Sequence, residues 1–270
     1  MKALSPAASC LLAITAMAAT PVVAEELSDD WKFQASINGW FPDIAGTTAF
    51  GVGDGRDFGV DIGTILDNLE MTLQGSFAVQ KGRWGAFTDL VYLDVGASKS
   101  GTRDFSLGGQ ELPVSVTADL NLDVTTTIWT LAGTYRLQAT PVATLDVLGG
   151  VRLFDASSDL GWNLSGDFGG ATPPPLTGQS SVSSSSWDAI IGIKGRYTFG
   201  AESAWSVPYY ADIGTGDSDL TWQAALGLAY GFSWGDVGVA WRYLEYQLAS
   251  GEKINDMNIN GPMLGVIFRW

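Results

Sequence analysis

Hydrophobic and polar residues alternate with a period of two along most of this chain. Trp31, Phe33, Ala35, Ile37, Gly39 and Phe41 share one side, and Lys32, Gln34, Ser36, Asn38 and Trp40 the other. Leu69, Met71, Leu73, Gly75, Phe77 and Val79 alternate with Glu70, Thr72, Gln74, Ser76 and Gln80. The odd-numbered residues from Ala143 to Leu153 oppose Asp146 and Arg152. Those from Trp187 to Phe199 oppose Asp188, Lys194 and Arg196, and those from Trp205 to Ile213 oppose Asp212. Leu220 to Phe232 oppose the small residues Ala225, Gly227, Ala229 and Gly231, and Val237 to Tyr243 oppose Arg242. The last stretch carries Leu264, Val266, Phe268 and Trp270, with Arg269 on the other side. Charge confined to one face at this spacing is a strand signal. It predicts ten strands, at about 31–41, 69–80, 84–97, 114–137, 142–154, 187–199, 205–215, 220–232, 237–248 and 259–270.

The uncharged face is rich in Trp and Tyr, placed near strand ends: Trp31, Trp84, Tyr135, Phe199, Trp205, Phe232 and Trp270. A soluble sandwich would line its shared core with Val, Ile and Leu. Aromatic rings at both rims of an apolar band are what a membrane interface selects. The fold class read from this pattern is all-β: a closed antiparallel transmembrane β-barrel of about ten strands, eight to twelve being compatible. Short connections (81–83, 138–141, 200–204, 233–236) alternate with longer or more variable ones (42–68, 99–113, 155–186, 216–219, 249–258), which puts both termini at the short-turn, periplasmic side. The segment 114–137 is too long for one crossing. Its apolar residues are even-numbered up to Val124 and odd-numbered from Trp129, which predicts a bulge or kink near Thr125–Thr127. In 84–97 both faces are mixed, leaving Asp89 and Asp94 without a side. Residues 42–68 are compatible with a loop, with two further short strands or with a helical turn from Val60. The polar stretch 155–186, with Pro173-Pro174-Pro175 and Ser183 to Ser186, reads as an external loop.

Lys2, the apolar run Leu11 to Ala19 and Val22-Val23-Ala24 read as a secretory signal cleaved after Ala24, leaving a barrel domain at 25–270. Composition narrows the chemistry further. The chain has no His, and its single Cys, Cys10, lies in that leader. Ser–His–Asp and Cys–His nucleophile systems are therefore excluded. With 29 acidic against 14 basic residues it offers no phosphate-binding surface to nucleic acid. No cofactor motif is present. Asp217 and Asp219, and separately Asp54, Asp57 and Asp61, are oxygen donors of the type Ca²⁺ takes. Neither group makes a full ligand set, and turns need the same residue types, so no metal site is assigned.

The terminal aromatic strand, the stretch Thr144-Leu-Asp-Val-Leu-Gly-Gly-Val-Arg152, Gly214-Thr-Gly-Asp-Ser-Asp219 and Arg242-Tyr-Leu-Glu-Tyr246 resemble proteobacterial outer-membrane β-barrel proteins with a small OmpA-like or OmpW-like barrel. The resemblance implies a bacterial outer-membrane location, with lipids and lipopolysaccharide as surroundings. It also implies insertion by the barrel-assembly machinery, which would read Leu264, Val266, Phe268 and Trp270. Phe is the usual last residue in that group, so Trp270 departs from it. The resemblance carries no catalytic residues, and the enzymatic barrels of that membrane rely on histidine.

The strand assignment points Lys32, Arg136, Arg152, Lys194, Arg196, Arg242 and Arg269 into the lumen, with Glu70, Asp146, Asp188 and Asp212. Narrow barrels have lumens that side chains fill, and buried charges require partners. The first expectation is thus a non-enzymatic structural or surface-interaction barrel with a plugged lumen. A narrow, weakly anion-preferring small-solute channel is the alternative, and an enzyme acting on lipid through carboxylates alone is a third reading. Acidic external loops that hold bridging divalent cations near lipopolysaccharide are a further expectation.

Overall fold

Strand pairing closes this chain on itself. The structure, a computed structural model, describes residues 29–48, 56–60, 69–107, 110–168, 176–248 and 254–270. The expected leader, 1–24, lies outside them. The strands are β1 (Trp31–Trp40), β2 (Asp43–Thr48), β3 (Arg56–Val60), β4 (Leu69–Lys81), β5 (Trp84–Leu107), β6 (Gln110–Ala139), β7 (Ala143–Phe168), β8 (Leu176–Thr198), β9 (Trp205–Gly216), β10 (Ser218–Phe232), β11 (Gly235–Leu248) and β12 (Ile254–Arg269). All pairs are antiparallel, in the order β1-β4-β5-β6-β7-β8-β9-β10-β11-β12, and β12 pairs back onto β1. Ten strands therefore form a closed barrel, and no helix occurs among the described residues. The seam runs from Gln34↔Arg269 to Trp40↔Met263. Beyond it, Phe33 and Trp270 exchange two backbone hydrogen bonds, 2.8 and 3.2 Å long, and their rings stack at 5.9 Å.

The outer face is a belt of exposed apolar residues. On β8 it runs from Trp187 through Ile191 and Ile193 to Tyr197, with Phe199 beyond; on β10 it includes Leu226, Leu228, Tyr230 and Phe232. This length matches the roughly 9–11 residues of a membrane-crossing strand. Aromatic pairs mark both rims. Trp84–Tyr135, Trp205–Tyr230 and Phe232–Trp234 lie at the turn end, and Trp129–Trp187 and Trp222–Tyr243 at the other.

The turns at one end are short. Gly82 has a φ of +56°, the left-handed region, where a side chain costs about 1–2 kcal/mol. Gly82→Ala is expected to lower barrel stability by about 1 kcal/mol and Gly82→Asn by less, read from urea-unfolding midpoints in lipid.

At the opposite end the structure departs from the sequence-based boundaries. β5, β6, β7 and β8 are 24, 30, 26 and 23 residues long, far more than one crossing needs. The stretches 99–113 and 155–186, expected as loops, are mostly strand. Their Ser, Thr and Asp side chains give no apolar alternation. Yet hairpins already in register within the belt keep pairing beyond it, because the ladder satisfies backbone N–H and C=O groups whatever the side chains are. Above Val95, β5 has no described pairing to β4, and above Asp188 β8 has none to β9. A four-stranded sheet thus projects beyond the belt. Residues 42–68 hold two short strands, and β2 extends the sheet alongside the upper part of β12. The barrel itself stays at ten.

The bulge expected near Thr125–Thr127 is absent. Register with β5 is unbroken from Trp84↔Tyr135 to Asp104↔Ser115, and with β7 from Val114↔Phe168 to Arg136↔Asp146. The even-numbered Thr126, Ile128, Thr130, Ala132 and Thr134 are all buried inside. The apolar parity changes because the medium changes. Within the belt the outside of β6 is apolar, whereas above it the outward Asn121 and Asp123 are polar and exposed.

Candidate functional site

The lumen is layered. At the long-strand end sits an apolar plug of Trp40, Val91, Ile128, Phe154, Leu244, Tyr246, Leu248, Met257 and Ile259. Phe154 on β7 and Tyr246 on β11 stand four strands apart around a ten-stranded ring, yet their ring centroids lie 4.7 Å apart. Both are 0% exposed, so side chains meet across the bore.

Beneath the plug lies a layer of buried ion pairs. Arg152 is 0% exposed. It pairs with Asp212 and donates to the hydroxyls of Thr130 and Thr221, each at 3.3 Å. Arg242 reaches across from β11 to Asp89 on β5 (2.7 Å) and also donates to Gln223 Oε1 (2.8 Å). Its guanidinium lies 5.0 Å from the Trp40 ring centroid. Asp188 is buried and accepts the backbone N–H of Ser218 at 2.9 Å, anchoring the β9–β10 hairpin.

Below this layer the barrel opens into a cavity of about 880 Å³. Its lining runs from Gln74, Asp89 and Arg242 down to Lys32, Thr140, Arg269 and Trp270 at the turn end, and no residue of the buried plug lines it. The space exists because Ala225, Gly227 and Ala229 on β10, with Gly238 and Ala240 on β11, present almost no side chain to it. Arg136 binds Asp146 through two hydrogen bonds of 2.7 and 3.0 Å. Lys194 Nζ lies 4.2 Å from the Phe87 ring centroid. At the mouth, buried Asp236 accepts from Arg196 at 2.9 Å and from Arg269, whose Nη1 bond is 3.0 Å.

Of the charges expected inside, Arg136, Arg152, Lys194, Arg196, Arg242, Arg269, Asp146, Asp188 and Asp212 occupy these layers, and Lys32 stands exposed at the mouth. Glu70 lies on β4, but its side chain is outside the described set. Two carboxylates were missed. Asp89 was left without a side because its lumen-facing neighbours Val91, in the plug, and Leu93 are both apolar and buried, which masks the parity. Asp236 was read as part of a turn, although it shares the parity of Arg242 six residues on. Among the turn aspartates, Asp217 accepts the Trp187 N–H at 2.8 Å. At the chain end, Leu264, Phe268 and Trp270 are exposed on the belt side.

No protein-family model matches the chain, and no curated protein does either. Among solved structures, it is similar to the outer membrane protease OmpT of Escherichia coli, at 12% identity over 90% of this chain and 97% of that one, with a TM-score of 0.48. It is similar to Ail, the attachment invasion locus protein of Yersinia pestis, at 11% identity over 88% and 98%, with a TM-score of 0.33. The translocator domain of the autotransporter NalP from Neisseria meningitidis gives 14% over 88% of each chain and a TM-score of 0.37. At these TM-scores and identities none of them bears on activity. The chemistry rests on this chain's own residues.

Proposed function

We propose that the chain is an integral barrel of a bacterial outer membrane that does not conduct, and that it works through the sheet raised beyond the belt. The contact between Phe154 and Tyr246 carries this reading. It bridges the bore at the long-strand end, and the Arg152–Asp212 and Arg242–Asp89 pairs lie under it. The exposed apolar belt supports placement in lipid. The leader read in residues 1–24 supports export, and the final alternating strand suits the barrel-assembly machinery. Lipids and lipopolysaccharide are then the surroundings of the belt and the projecting strands. The absence of His removes the familiar nucleophile systems, so the role is a non-enzymatic one of structure or surface contact.

The test is conductance in planar bilayers. The wild-type barrel is expected to show no steady open level. A reproducible open level would instead establish the small-solute channel, the reading that the cationic surplus of the cavity favours.

A further inference from the structure

The plug makes the turn-end cavity a blind pocket, and its charges do not balance. Six cations line it: Lys32, Arg136, Lys194, Arg196, Arg242 and Arg269. The lining carboxylates are Asp89 and Asp146, and Asp236 lies behind the mouth. Each is already engaged, Asp89 by Arg242, Asp146 by Arg136, and Asp236 by both Arg196 and Arg269.

Lys194 has no carboxylate to itself: Asp146, its cross-strand neighbour on β7, is held by Arg136. Among the described residues no carboxylate lies within 4.0 Å of its ammonium, which rests against the Phe87 ring. Its cross-strand neighbour on the other side, β9, is Tyr210. The Tyr210 hydroxyl is buried, lines the same space and, with the Asp212 carboxylate nearby, makes no hydrogen bond of normal geometry. The Nε of Arg196 is likewise buried and unpartnered. With six cations sharing three carboxylates, unsatisfied donors are costly in a low-dielectric site unless something supplies acceptors and negative charge.

We propose that this pocket binds a small multivalent anion bearing carboxylate or phosphate groups, which enters from the turn end. One anionic group accepts from Lys194 Nζ and the Tyr210 hydroxyl. A second meets Arg196 and Arg269 nearer the mouth. Lys194 and Arg196 are two residues apart on β8, so the two stations are separated by about 7 Å along the strand. The Phe87 ring and the small β10–β11 wall hold the carbon skeleton. The volume, about 880 Å³, lies within the range of small-molecule pockets. The proposal stands apart from the role of the projecting sheet. Conductance reads the plug, and binding reads the pocket.

The experiment is isothermal titration calorimetry on the folded barrel in non-ionic detergent at low salt, with citrate and, separately, inorganic phosphate as probes. Saturable binding to one site per barrel is expected, weakened about tenfold or more by Lys194→Met and largely restored by Lys194→Arg. Circular dichroism establishes that each variant is folded. Tyr210→Phe, which deletes one hydroxyl, is expected to weaken binding several-fold and keeps the test decisive if Lys194→Met does not fold. Binding of citrate alone or of phosphate alone supports the site and identifies its head group. No saturable binding of either probe, or binding indifferent to the folded variants, overturns it.

Discussion

Arg152→Met is expected to destabilise the barrel by about 3–5 kcal/mol, the usual cost of stranding one partner of a buried ion pair. The guanidinium and the Asp212 carboxylate are both 0% exposed. Methionine fills much of the volume but leaves the carboxylate without its counter-charge, and the hydroxyls of Thr130 and Thr221 lose a donor. The double variant Arg152→Met/Asp212→Leu is expected to regain most of the loss, because neither charge of this pair then remains to be compensated. At the mouth, Arg196 is 26% exposed and shares Asp236 with Arg269. Its replacement by Met is therefore expected to cost only about 1 kcal/mol. Urea-unfolding midpoints of barrels in lipid vesicles measure all three. A shift below about 1 kcal/mol for Arg152→Met would mean that this pair is wet rather than sealed.

Ile191→Arg is expected to cost about 2–4 kcal/mol in a bilayer, the penalty for a cation on the lipid face near the midplane. Ile191 is 67% exposed, so in an ordinary soluble sheet the same change would be nearly neutral. Ser183 lies on the same strand and the same face, eight residues toward the long-strand end, and is exposed. Ser183→Arg is expected to stay within about 0.5 kcal/mol, because that face now meets water. The contrast between the two positions locates the upper edge of the belt. Equal effects at 183 and 191 in vesicles would show that the exposed apolar face does not sit in acyl chains.

The period-two pattern sufficed for the all-β class, for the ten barrel strands, and for which side of β1, β8, β10 and β12 is apolar. A strand's alternation follows from backbone geometry alone, so it survives in the sequence without any tertiary information. The lumen charges on those strands were legible for the same reason. Where both faces carry apolar residues, as around Asp89, alternation gives no answer. The Ser-rich stretch of β8 was misread because polar residues on both sides look like a loop, although pairing to a neighbour needs only the backbone.

Alternation tells faces apart but does not name the medium each face meets. Whether Val91, Ile128 and Phe154 touch lipid or one another depends on which face becomes the inside, and that is set when β12 closes onto β1. Closure and shear likewise bring Phe154 against Tyr246 and Arg242 against Asp89, residues far apart in the chain and on nearly opposite walls. The sealed bore and the cationic surplus of the cavity are therefore properties of the closed ring. The contacts that seal the bore join strands that never pair.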